Sequence, residues 1–348
     1  MVILGLGELA DAVDEGQRGG EVREVELALQ RSVDLVPALG NRHRASMPAS
    51  TIAGAMSVTP SSEAGADPPA QPRQPAPLAV RARKARPRPE LVVEGVFAPL
   101  ARVLVAALLP LRVPPPAVVL ANTAAGLAAA WAIWGGDLLA GALLLQLKTL
   151  LDNADGQLAR AAGRTSNLGR YLDTEADAVV NVAVLAALGH ATGHPWLAAT
   201  ALVVLALVLS VDFNLEALYR EVRGEEFRPP LDRVSGSVVA RALTGVYAAV
   251  FAPQDRAVRA LAARRLERAT RSVDDPHALR RAALAYHDPA TVAVLVNLGL
   301  STQLAALGVF LALDVPVAYL WLVLACGVLV PVLWARRERL ARVAARSA

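Results

Sequence analysis

Six apolar stretches, near 117–134, 138–158, 167–189, 195–213, 291–313 and 316–334, constrain this chain more than any other feature. Each is about long enough to cross the roughly 30 Å hydrocarbon core of a bilayer as a helix. Inside hydrocarbon every backbone N–H and C=O must be paired within its own segment, so runs of this kind fold as helices. The expected fold class is an all-α integral membrane protein. It would have six transmembrane helices, an N-terminal juxtamembrane amphipathic helix and a cytoplasmic helical insertion. Hydrophobic residues make up 55% of the chain and the mean hydropathy is +0.41, yet 19% of residues are charged and these concentrate outside the apolar runs.

Charge asymmetry orients the spans. The connections Gly135 to Asp137, His190 to His194 and Leu313 to Val315 are short and carry no Lys or Arg. The opposite side holds Arg81, Arg83, Lys84, Arg86 and Arg88, thirteen arginines between spans four and five, and Arg336, Arg337, Arg339, Arg342 and Arg346 in the tail. Positive charge stays inside, so both termini are expected in the cytoplasm of a multi-pass cell-membrane protein. Residues 234–252 would be a seventh span only against this rule, and Arg241, Ser235 and Ser237 interrupt them. They read as an interfacial or packed cytoplasmic helix.

Between the second and third spans the chain runs D-N-A-D-G-Q-L-A-R, then G-R-Y-L-D-T-E-A-D, over residues 152–177. A charge at bilayer depth costs roughly 3 kcal/mol or more, so Asp152, Asp155, Asp173 and Asp177 need partners. Each pair, three or four residues apart, projects from one helix face. A turn near 164–167 would set the two helices antiparallel with all four carboxylates facing one another. An all-oxygen site suits Mg2+ or Mn2+ rather than zinc. Gly156, Ala159 and Gly169 are small enough to let backbones approach and to leave room for a flat or phosphorylated ligand. Lys148, one turn before Asp152, either reaches a phosphate or pairs with the acids. Arg170 follows Gly169 at a helix start and is a second candidate phosphate or acceptor contact.

The string D-x2-D-G-x2-A-R-x8-G-x3-D-x3-D resembles, at all eight fixed positions, the signature of the CDP-alcohol phosphotransferase superfamily. These membrane enzymes move a phosphoalcohol from a CDP-alcohol to an acceptor hydroxyl and release CMP. The resemblance implies that Asp152, Asp155, Asp173 and Asp177 ligate two divalent cations, Mg2+ or Mn2+, with Asp177 also the general base. It implies that Asp152, Gly156, Ala159, Arg160 and Gly169 contact the nucleotide, and that the protein is a homodimer in phospholipid synthesis. Relatives place Pro-Asn-x-x-Thr at the first span, whereas this chain has Pro114-Pro115-Pro116, with Asn122 and Thr123 further on.

The remaining organisation follows from composition. Residues 1–88 are poor in aromatics and rich in Pro, Ala and Arg over 58–88, a composition unable to bury enough surface to fold. A misassigned start, with Met47 or Met56 as alternatives, is a second reading of that segment. Residues 89–213 hold the juxtamembrane helix (89–112) and spans one to four, 214–290 the cytoplasmic insertion, 291–335 spans five and six, and 336–348 a basic tail. The insertion reads either as a solvated helical loop near anionic headgroups or as a lid over the site. No pattern for nucleic-acid binding is present, and the lone Cys326 excludes an intrachain disulfide. Three donor classes stay open: CDP-diacylglycerol, favoured by size and composition, CDP-aminoalcohols, and CDP-polyols such as CDP-inositol. A non-catalytic scaffold or transporter is the alternative of another class, against which stand the intact acids and the absence of internal repeats.

Overall fold

Proline and side-chain caps start most of the helices. In the computed structural model, which describes Leu78, residues 87–225 and residues 238–347, helix α1 (Ala98–Leu108) continues a π-helical turn over Val93–Phe97. There follow α2 (Pro115–Trp134), α3 (Leu138–Ala161), α4 (Asn167–Ala191), α5 (Pro195–Val222) and α6 (Val238–Thr270). The chain goes on through α7 (Pro276–Tyr286), α8 (Pro289–Val296), α9 (Leu300–Ala312) and α10 (Pro316–Arg346). Proline at the first helical turn of α2, α5, α7, α8 and α10 gives up an N–H that had no partner there. Asp137, Asp275 and Asp288 cap α3, α7 and α8 by accepting backbone N–H groups. The N–H groups of His277 and Ala278 hold the exposed Asp275 carboxyl below the ordinary carboxylate range. No strand occurs among the described residues, which lie within one compact unit. Apart from Leu78, Pro87 and Arg88, the expectation for 1–88 lies outside the described residues.

Four stretches are long and apolar enough to cross a membrane: α2, α5, the composite Pro276–Ala312 and α10. They mark an integral membrane protein. The two motif helices are not among them, because Lys148, Asp152 and Asp155 charge the apolar run of α3 and Asp173, Glu175 and Asp177 that of α4. Of the five tryptophans, four are exposed at one end of the bundle: Trp131 and Trp134 at the end of α2, Trp196 at the start of α5 and Trp321 near the start of α10. Such a belt of aromatics is characteristic of a membrane–water interface. At the same end Trp134 stacks on His190, with ring centroids 3.8 Å apart, joining α2 to α4.

Two departures from the sequence expectations have identifiable causes. The fifth apolar run is broken, not continuous over 291–313: α8 ends at Val296 and α9 begins at Leu300. The Asn297 side chain accepts from Leu91 N–H (2.8 Å) and donates to Pro89 O, while Thr302 donates to the buried Glu90 carboxylate. The segment entering the π-turn is thus bound into the break. Secondly, the expected tail 336–348 is helical through Arg346, one piece with the sixth span. Ala, Arg and Leu favour helix there, and α10 packs on α7, with Arg337 buried and donating to Tyr286 O. Helix α6, by contrast, agrees from Val238 onward with the packed-helix reading of 234–252: its 33 residues pack on α4, α5 and α10. Tyr247 meets Tyr171 edge-on, and Asp255 accepts from Asn214, Tyr247 and, at 3.4 Å, Ser210.

The motif hairpin sits at the centre of this arrangement. Alanine, leucine and valine side chains of α2, α3, α4, α5, α9 and α10 form its largest core. Ala101 and Val105 of α1 pack on Ala154, Leu158 and Ala161 of α3. Gly126 lets α2 come close to the hairpin: a Cβ there would fall 2.5 and 2.8 Å from the Val180 methyls. Gly126→Ala should therefore destabilise the protein by about 1–3 kcal/mol, read as a lower melting temperature in detergent. An unchanged melting temperature would contradict this packing.

Candidate active site

Helix α3 ends in a Schellman turn. Gly163 takes φ +67°, its N–H reaches Arg160 O, and Arg164 N–H reaches Ala159 O at 2.8 Å. After residues 164–166 the chain re-enters helix at α4, whose cap Ser166 accepts from Gly169 N–H at 3.0 Å. This short reversal sets α3 and α4 antiparallel, and the 152/155 and 173/177 spacings turn both acid pairs inward.

The structure brings Asp152, Asp155 and Asp173 together, with one carboxylate oxygen of each within 4.8 Å of the others. Asp155 is buried and its Oδ2 has no hydrogen-bond partner, an arrangement stable only with a cation or proton beside it. Three converging carboxylates, with no His or Cys, fit a hard divalent ion such as Mg2+ or Mn2+. Asp177 stands beside this trio rather than in it. Its Oδ1 accepts from Lys148 Nζ at 2.5 Å, and the same ammonium donates to Asp152 Oδ1 at 3.1 Å. Lys148 is fully buried, whereas the side chains of Asp152 and Asp177 keep 19% and 20% of their surface.

Asn122 adds a donor that its place in an apolar span did not assign. Its Nδ2 reaches Asp152 Oδ1 at 3.1 Å, and its own Oδ1 is buried and unpartnered. The signal available in sequence was an amide in an otherwise apolar helix, about two turns from the proline run. Gln157 donates to Ala98 O and so ties α1 to the back of the motif helix.

The glycines and Arg160 take narrower positions. A Cβ on Gly156 would lie 3.2 Å from Arg160 Nη1, so the missing side chain leaves that guanidinium its place over the helix. Gly156, Ala159, Arg160, Gly169 and Arg170 are all half-buried near the hairpin turn. Tyr171 and Glu175 lie roughly 200° around α4 from Asp173, since each residue turns the helix by about 100°. Tyr171 meets Tyr247 there, so α6 supports α4 from behind and its Tyr247 contact is no lid over the acids.

Residues 112–265 match the family described as CDP-alcohol phosphatidyltransferase. Over that segment, a little under half of its length, the chain is similar to a CDP-alcohol phosphatidyltransferase domain. The match runs past the motif at residues 152–177 into α6. A bifunctional IPC transferase and DIPP synthase of Thermococcus kodakarensis is 50% identical over 50 residues, 14% of this chain and 12% of that protein. Its namesake in Aquifex aeolicus is 41% identical over 56 residues, 16% and 13%. A phosphatidylinositol phosphate synthase of Mycobacteroides abscessus is 33% identical over 122 residues, 35% of this chain and 55% of that protein. The matches therefore span between 12% and 55% of these relatives' lengths. No solved structure matches the chain.

If the trio is the cation site, Asp155→Asn should weaken Mn2+ binding at least roughly tenfold, since a buried charged ligand is lost. Electron paramagnetic resonance titration of the detergent-solubilised chain measures this, and unchanged affinity would refute the site.

Proposed function

We propose that this protein transfers a phosphoalcohol from a CDP-alcohol to an acceptor hydroxyl and releases CMP, as a step in phospholipid synthesis. The convergence of Asp152, Asp155 and Asp173, with Asp177 beside them, carries this reading. A divalent cation bound by the trio would neutralise the diphosphate and favour departure of CMP. Asp152, Gly156, Ala159, Arg160 and Gly169 line the nucleotide side, and Arg170 is the candidate contact for a phosphate or the acceptor. With Asp177 Oδ1 held by Lys148, its Oδ2 is the atom we assign to accept the proton of the incoming hydroxyl. The acceptor oxygen then bonds to the phosphorus bearing the alcohol as the bond to the CMP oxygen breaks. A single displacement needs no phosphoenzyme, and no Ser, Cys or His nucleophile stands among the acids.

The favoured donor is CDP-diacylglycerol and the acceptor a small polyol or polyol phosphate. The name of the mycobacterial relative supports this choice, and those of the two bifunctional relatives keep a CDP-inositol-type donor as the alternative. Six crossing helices are the reading that also places α3 and α4 across the membrane. Its support is that both pack within the main apolar core and end level with the tryptophan belt. The arginines opposite that belt favour a cytoplasmic site and cytoplasmic termini. By resemblance the enzyme is a homodimer, and α1 lies along the cytoplasmic membrane surface.

The test is CMP release by purified protein with Mg2+ or Mn2+, offering CDP-diacylglycerol, CDP-ethanolamine and CDP-inositol separately with mixed acceptors. One donor should release CMP, and Asp177→Asn should lower the rate roughly 100-fold or more. Full activity in that variant, or no release from any donor, would overturn the proposal.

A further inference from the structure

Lys148 donates to two acids of the cluster, Asp152 and Asp177, and is sealed from solvent while both of those carboxylates keep some exposure. Three helices close around it. It leaves α3 and reaches Asp177 on α4, while its Cγ lies 3.3 Å from the Cβ position of Gly126 on α2. Asn122, one turn before Gly126, donates to the same Asp152 Oδ1 that Lys148 holds. A lysine that touched an incoming phosphate would need a path to it, and a fully buried ammonium with two carboxylate partners has none. A lone buried ammonium would be costly, so its placement is stable only because it neutralises these acids.

We propose that Lys148 is a built-in counter-cation and positioning residue: it pins Asp152 and Asp177 through their Oδ1 atoms and takes the place a second divalent ion would fill in the nucleotide-free protein. This deepens the reading of the cluster as a metal site and rests on it. Four carboxylates with one ammonium leave a formal charge of −3, enough to hold one tight divalent ion, with any second ion arriving with the diphosphate. The other oxygens of Asp152 and Asp177 are then presented toward metal and acceptor from a fixed carboxylate orientation. Asn122 holds Asp152 from the neighbouring helix in the same way.

Two consequences separate this role from a phosphate contact and from a purely structural one. In the absence of nucleotide the wild-type chain should bind one Mn2+ by electron paramagnetic resonance titration. Lys148→Met removes a positive charge close to that ion, so Mn2+ affinity should rise roughly tenfold or more while CMP release falls steeply. A phosphate contact would instead raise the KM for the CDP-alcohol and leave Mn2+ affinity unchanged, and a merely structural lysine would weaken Mn2+ binding when lost. Either of those results in a monodisperse variant overturns the proposal. Should the methionine variant fail to fold, Lys148→Gln keeps a hydrogen-bond donor and must show the same rise. Two tightly bound Mn2+ ions in the wild type, without nucleotide, refute the proposal whatever the variants do. Absence of CMP release from the wild type, with the Mn2+ results as expected, would refute the activity and leave the role of Lys148 standing.

Discussion

Placing four carboxylates between two apolar helices is the constraint to which the rest of the molecule responds. Removed from water, each anion must find a compensating charge or donor. Lys148 and Asn122 supply part of that compensation from within, to Asp152 and Asp177. The close approach of α2 at Gly126 and the packing of α1 on Ala154, Leu158 and Ala161 hold the hairpin in place. What these donors leave over, the carboxylate trio with the unpartnered Asp155 oxygen, is what a divalent ion would satisfy. The same electrostatic requirement therefore explains the packing of the hairpin and its chemistry.

The hairpin was largely legible in the sequence because its determinants are local. Spacings of three and four residues fix which face each acid takes, and Gly163 and Ser166 are residues that end one helix and cap the next. Spacing of i,i+4 offered the Lys148–Asp152 pair as one of two readings of that lysine, but not the bond to Asp177, since it crosses from one helix to the other. Asn122 was noticed as polar and given no partner for the same reason. The break at Asn297 depends on residues some 200 positions earlier in the chain, Pro89 and Leu91, and no window of sequence contains both sides of it.

The arginine-rich end of the bundle shows how basic sequence becomes ordered structure. Arg336, Arg337 and their neighbours read as a charged tail, but Arg337 stacks over Tyr286 at 4.1 Å and Arg336 pairs with Asp288 at 2.9 Å. Helix α6, which composition could place either at the membrane surface or over the site, is held behind α4 and α5 by Tyr247, Asp255 and Arg259. It thus stiffens the motif helix from the side away from the acids. Its inclusion in the family match agrees with a place in the catalytic domain's framework.

The central claim is that the α3–α4 carboxylates bind a divalent ion and, through it, the diphosphate of a CDP-alcohol. The most direct measurement is a cryo-electron microscopy structure of the full chain with Mn2+ and CDP. The account predicts metal density enclosed by Asp152, Asp155 and Asp173, with the CDP diphosphate against it and Lys148 still bound to Asp177. Nucleotide bound elsewhere, or a carboxylate trio without metal beside bound CDP, would contradict it.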